Sequence, residues 1–198
     1  MGRPAKTTDT DVLDVTYALA WQRGCDDLTI RDLEVALELR APSIYRRFHS
    51  RDELLAAAID RYSERVVGGR VRRFLNAADD PLHGIRQFFL SAVDSTTNPN
   101  MPRGCLLATT SQQASYGIPV IRDAVSRGVA TVEDALLAAL DRAVDRGHRF
   151  ASPNRDLAGA LLQGFLGVLM LMRCGHENLE PSMNVMLDAL LGPDPQPA

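Results

Sequence analysis

Residues Arg40 to Arg51 read RAPSIYRRFHSR, four arginines in twelve positions with no acid among them. A guanidinium presents a rigid fork of donors that can hold two oxygens of one phosphate, or O6 and N7 of one guanine. Arg40, Arg46, Arg47 and Arg51 are therefore candidate anion-binding groups. Ser43 and Tyr45 add hydroxyls that can donate to phosphate oxygens, and Thr29 offers another a few residues upstream. The chain carries a formal net charge of -3, from 22 Lys+Arg against 25 Asp+Glu. Overall charge attracts no polyanion, so any such partner must be met by a local patch. The alternative is a solvated basic face on an ordinary helical domain.

Placing those side chains requires short helices. Apolar residues from Asp9 to Arg23 recur at near-helical spacing (Val12, Val15, Leu19), and Gly24 marks a stop. Thr29 is a good N-cap for a second helix over 29–36. A turn at 37–40 follows, then a third helix over 41–48, with Ala41 and Pro42 in a first turn that needs no N–H from proline. Ser50 and Glu53 form a capping box opening a fourth helix, which Gly68-Gly69 is expected to end near Val67. Two short helices joined by a tight turn make a helix-turn-helix, whose second helix enters the major groove with its N-terminal residues on base edges. Ile30, Leu33, Leu37, Leu39, Ile44 and Phe48 would bury against Val12, Val15 and Leu19. The arginines would then stay on the open side.

The stretch LTIRDLEVALELRAPSIYRRFHSRDELLAAAIDRY, with LDVTYALAWQRGCDDLT before it and the leader GRPAK, resembles the DNA-binding domain of the tetracycline-repressor (TetR) family. The resemblance implies a homodimeric regulator of transcription, usually a repressor, that grips double-stranded operator DNA. It also implies a C-terminal helical domain that dimerises and binds a small effector. Two positions depart from the family pattern. Glu34 stands where a small residue is common, and Glu38 where the turn commonly has glycine. Both add negative charge near the expected DNA face. A helical small-molecule-binding module with weak or lost DNA affinity is the alternative these glutamates suggest.

The remainder reads as helix at 70–78, 82–96, 104–115, 119–146, 153–174 and 179–191, without β-alternation. The expected fold is all-α: an N-terminal helix-turn-helix three-helix domain (1–67) and a C-terminal helical bundle that dimerises (68–198). The 119–146 and 153–174 helices carry long apolar faces and are expected to build a homodimer interface. The second is apolar almost all round and reads as buried rather than membrane-spanning. An apolar pocket with a few orienting polar groups is the usual form of an effector site. Phe88, Phe89, Met101, Leu106, Tyr116, Phe165 and Met170 are candidate walls, and Thr109, Thr110 and Gln113 candidate polar groups. Plain core packing is the competing reading for each. An apolar or weakly polar ligand is preferred, because charged residues are scarce among these positions. RGCLL at 103–107, followed by ATTSQQ, resembles one subset of the family.

Catalytic constellations do not assemble. His49, His83, His148 and His176 are dispersed, and Cys174 with His176 has no second pair at zinc spacing. GRVRR at 69–73 reads as a solvated basic run. An enzyme, a metal site and a cofactor are not expected. Three dispersed cysteines and a start without signal-peptide features place the chain, as an expectation, in a reducing cytoplasm.

Overall fold

The computed structural model describes residues 7–93 and 102–193 of the chain. They form α1 (Asp9–Arg23), α2 (Ile30–Leu37), α3 (Ala41–Phe48) and α4 (Arg51–Tyr62). After a continuation of α4 come α6 (Pro81–Val93), α7 (Leu106–Thr110), α8 (Pro119–Asp145), α9 (Asn154–Arg173) and α10 (Glu180–Leu191). No strand occurs among the described residues.

Local chemistry explains the first four elements. Thr8 and Thr29 each close a capping box, with Asp11 and Asp32 three residues on. Leu33 and Ile44 are buried between α1, α2 and α3, as the spacing requires. Glu38 ends α2 in the left-handed conformation at φ 53°, where a β-carbon is crowded and glycine is the usual occupant. Ser50 Oγ accepts the Glu53 amide at 3.1 Å. The reciprocal half of the expected box is absent: the Ser50 amide donates to the Phe48 carbonyl, and the Glu53 carboxylate lies 3.5 Å from His49 Nδ1.

The expected break at Gly68-Gly69 does not occur. The helix runs on through π-helical turns at Ser63–Val67, a short α turn, α5 (Gly68–Arg70), and further π-helical turns at Val71–Asn76. The expected separate 70–78 helix is thus the far end of α4. Tertiary packing overrides the low helix propensity of two glycines here: Val67, Val71 and Leu75 are buried on one stripe, and Gly128 of α8 lets the two helices approach. A β-carbon at Gly128 would lie 2.4 Å from Ser63 Oγ and 2.7 Å from Leu107 Cδ1.

The expected 104–115 helix is also shorter. Only Leu106–Thr110 is α-helical, preceded by Gly104 at φ 87° and followed by a 3-10 turn at Ala114–Gly117. The side chains of this stretch are drawn toward the N-terminal helices, as described below. Around α8 the core is continuous: α4 and α6 pack on it, α9 packs alongside, and α10 closes the outer face. Tyr17 and Trp21 of α1 meet Tyr62 edge-on, with centroids 5.9 and 5.0 Å apart, so aromatic packing joins the two halves.

Candidate nucleic-acid interface and effector chamber

The side chains of Arg40, just before α3, and of Arg46 on it are exposed with no ion pair or hydrogen bond among the described residues, and Tyr45 is 42% exposed beside them. Pro42 is exposed, while Ala41 and Ser43 are half-buried. The other two arginines are engaged with the protein. Arg47 donates to the Thr7 carbonyl at 3.0 Å and lies 3.3 Å from Asp9. Arg51 donates from Nε to the Leu28 carbonyl at 2.9 Å and from Nη2 to the carbonyls of Cys25 and Asp26. These carbonyls at the exit of α1 have no helical partner, and Arg51 supplies the donor they need. Thr29 is similarly engaged: its hydroxyl accepts the Asp32 amide at 3.2 Å and donates to the Asp32 carboxylate at 2.5 Å.

The Glu34 carboxylate accepts the backbone N–H of Ala41 at 2.6 Å. The residue preceding α3, Arg40, supplies no side-chain cap. Glu34 therefore satisfies an orphan amide and places negative charge at the positive end of α3. Rather than prying α2 and α3 apart, it ties them together.

A second set of contacts joins the helix-turn-helix to the bundle. The Gln113 Oε1 accepts the Cys25 amide at 2.9 Å, and Thr110 Oγ1 lies 3.4 Å from Cys25 Sγ. The Asp26 carboxylate accepts the amides of Ala114 and Ser115 at 2.8 and 2.9 Å. Burial pushes the Asp26 carboxyl up, but the hydrogen bonds from Ser115 and Ala114 and the nearby Arg51 charge hold it below its ordinary value. Burial also pushes the Cys25 thiol up. Gly24 makes this approach possible: at φ 98°, a β-carbon there would lie 2.1 Å from Gln113 Nε2. On the far side, Arg127 clasps Asp60 through Nη2 at 2.7 and 3.0 Å.

Two cavities adjoin the expected effector residues among the described residues. An outer cleft of about 310 Å³ is lined by Thr109, Gln112, Gln113, Met170 and Arg173 among others. An inner void of about 20 Å³ is bounded by Tyr62, Arg70, Phe88, Leu107, Val129 and Phe165 among others. Cys105 and Leu169 border both. Of the expected effector residues, Phe88 and Phe165 face the inner void, with ring centroids 4.5 Å apart. Thr109, Gln113 and Met170 face the outer cleft. Phe89, Leu106 and Thr110 are fully buried in packing and line neither. Tyr116 sits half-buried in the 3-10 turn, away from both, and Met101 lies outside the described residues.

Sequence reasoning missed Arg70. Its neighbours Arg72 and Arg73 are exposed, as a solvated run requires, while Arg70 turns inward. Its place beside the Val67–Val71–Leu75 stripe was the available signal. The Cys25–Asp26 contacts with 110–115 were missed as well, because nothing local announces a partner almost ninety residues away.

Comparison with known proteins agrees with this geometry. A family model described as bacterial regulatory proteins, tetR family, matches residues 12–58. A second, described as a tetracyclin repressor-like C-terminal domain, matches residues 81–181. The HTH-type transcriptional repressor ComR of Escherichia coli (strain K12) is 28% identical over 107 residues, which cover 54% of this chain and 50% of ComR. Among solved structures, a cysteine mutant of the TetR family regulator CifR, complexed with 26 bp double-strand operator DNA, superposes with a TM-score of 0.84. That match has 21% identity and covers 96% of this chain and 100% of that one. The reduced form of E. coli NemR superposes at 0.77, with 20% identity, 92% of this chain and 95% of that one.

Proposed function

Because this chain belongs to the tetracycline-repressor family of bacterial regulatory proteins, we propose that it is a ligand-responsive dimeric regulator of transcription: a cytoplasmic repressor that binds a palindromic operator and is released by a small molecule. The observation that carries the DNA-binding half is α3 and its N-cap, which leave the side chains of Arg40, Tyr45 and Arg46 free on the open side while Ile44 is buried and Phe48 half-buried beneath. In this reading Arg46, with Arg40 and Ser43, enters the major groove, and Tyr45 and Arg47 contact phosphates. Arg51 and Thr29 position the helix rather than touch DNA. Residues 1–67 read DNA and 68–198 bind effector and dimerise, with the α4 continuation crossing between them.

Dimerisation through 119–146 and 153–174 fits the surface left on α8 and α9, where Val144 and Met170 are 43% and 49% exposed. A two-fold dimer sets its two recognition helices about one DNA turn apart, roughly 34–36 Å. Release follows if effector favours a dimer with a different spacing, by as much as it binds that state more tightly. The contacts from Gln113, Ala114 and Ser115 to Cys25 and Asp26 are the route we assign to that coupling, since Gln113 also lines the outer cleft.

The test is fluorescence anisotropy with DNA flanking the protein's own gene, over a range of salt. Arg46→Ala is expected to weaken specific binding by about 1–3 kcal/mol. A demonstrated dimer with no sequence-dependent DNA binding at moderate salt refutes the function.

A further inference from the structure

Arg70 is a cation without a counter-ion. It borders the inner void, whose other walls are aliphatic or aromatic apart from Tyr62 and Cys105. No hydrogen bond or ion pair to Arg70 occurs among the described residues. No aspartate or glutamate lines the inner void or the outer cleft among the described residues, although the chain has 25 of them. The outer cleft instead adds a second arginine, Arg173. Burial pulls the Arg70 guanidinium below its ordinary value, opposed by the attraction of Tyr62 and Cys105.

Arg70 is half-buried, and a charge drawn against apolar walls is normally paired because an isolated one is costly. The protein keeps this one on the helix that joins its two halves, eight residues beyond Tyr62, which meets Trp21 of α1 edge-on. The inner void as it stands has room for about one water. The adjoining cleft of about 310 Å³ lies at the lower end of the usual range for ligand sites.

We propose that the effector is an apolar monoanion, a carboxylate with a hydrocarbon body, whose head group widens the inner void to pair with Arg70 while its body lies toward the outer cleft past Cys105 and Leu169. This deepens the effector-binding half of the function proposed above and rests on it. The guanidinium fork suits two carboxylate oxygens at once, and the Tyr62 hydroxyl, which donates to Cys105 Sγ at 3.7 Å, can turn from that weak acceptor to the same group. The apolar walls select against small hydrated anions, since nothing in them replaces a hydration shell.

The probes are octanoate, octanol and acetate, titrated into the full-length protein and followed by the fluorescence of Trp21, the chain's single tryptophan. Octanoate should bind at least about tenfold more tightly than either octanol, which lacks the charge, or acetate, which lacks the body. Arg70→Met fills similar space without charge. It should melt no lower than the wild-type protein, because an unpaired charge held against apolar walls has been removed. It should bind octanol as the wild type does, and octanoate at least about tenfold more weakly than the wild type does. The proposal is overturned if octanol or acetate binds the wild type as well as octanoate, if Arg70→Met keeps the preference, or if none of the three binds. DNA affinity measured alongside separates this from the parent reading. Octanoate held through Arg70 without loss of DNA binding leaves the anion site standing and removes effector release. Octanol acting as well as octanoate in displacing DNA does the reverse.

Discussion

Gly24→Ala tests how the helix-turn-helix is fastened to the bundle. The new β-carbon costs roughly 1–3 kcal/mol, because the backbone at φ 98°, ψ 158° lies in a region that essentially only glycine adopts. It would also lie 2.1 Å from Gln113 Nε2. That atom is the end of a flexible side chain, so Gln113 swings away and the Cys25 amide loses its acceptor, now at 2.9 Å. A buried donor left unsatisfied costs about 1–3 kcal/mol. The single substitution should therefore destabilise by about 2–6 kcal/mol. Gln113→Ala alone loses only the hydrogen bond, about 1–3 kcal/mol. The double variant loses that bond once, not twice, so its cost should fall short of the sum of the singles by about 1–3 kcal/mol. Urea unfolding of all four proteins at one fixed concentration measures the shortfall, the fixed concentration being needed because subunit association contributes to stability. Additivity within about 0.5 kcal/mol would show that Gly24 and Gln113 do not share an interaction, and the coupling route through them would fall.

Other expectations follow from the same geometry. Glu38→Gly should relieve roughly 1–2 kcal/mol of left-handed strain, less about 0.4–1 kcal/mol of added unfolded-state entropy. A net gain near 1 kcal/mol would raise the thermal midpoint by a few degrees, and an unchanged or lower midpoint contradicts the strain. The folded-state carboxyl of Asp26 lies below its unfolded value, so its contribution is present above that unfolded value and fades as pH falls through the folded one. Wild-type stability should accordingly drop below about pH 4, and Asp26→Asn should flatten that slope in urea midpoints taken across the acid range. Cys174 is exposed while Cys25 and Cys105 are buried. Alkylation mapped by mass spectrometry should mark Cys174 first, and equal labelling of Cys25 would contradict its burial.

The sequence carried the local signals well. Periodicity and capping placed α1 over Asp9–Arg23 and α3 over Ala41–Phe48. It misplaced features decided at a distance. Gly68-Gly69 reads as a break because isolated glycines lower helix propensity, yet burial of Val67, Val71 and Leu75 keeps the helix going. Gln113 reads as a pocket group, and it does border the outer cleft, but its carbonyl oxygen is held by an amide 88 residues away. Arg51 and Arg47 belong by composition to one basic patch with Arg40 and Arg46, but Arg51 is spread over backbone carbonyls and Arg47 shares its guanidinium with the Thr7 carbonyl and Asp9. Arginine counts on a short motif therefore overstate the charge free to meet a polyanion.

The uninterrupted rod from Arg51 to Asn76 has a mechanical meaning. At about 1.5 Å per residue it measures somewhat under 40 Å, since π-helical turns rise a little less steeply. Pivoting such a rod by about 5° carries its tip through about 3 Å, close to the 3.4 Å separating neighbouring base pairs. A head group pressing on one guanidinium near the rod's inner end would thus need only a slight tilt to shift a reading helix by one step along the duplex.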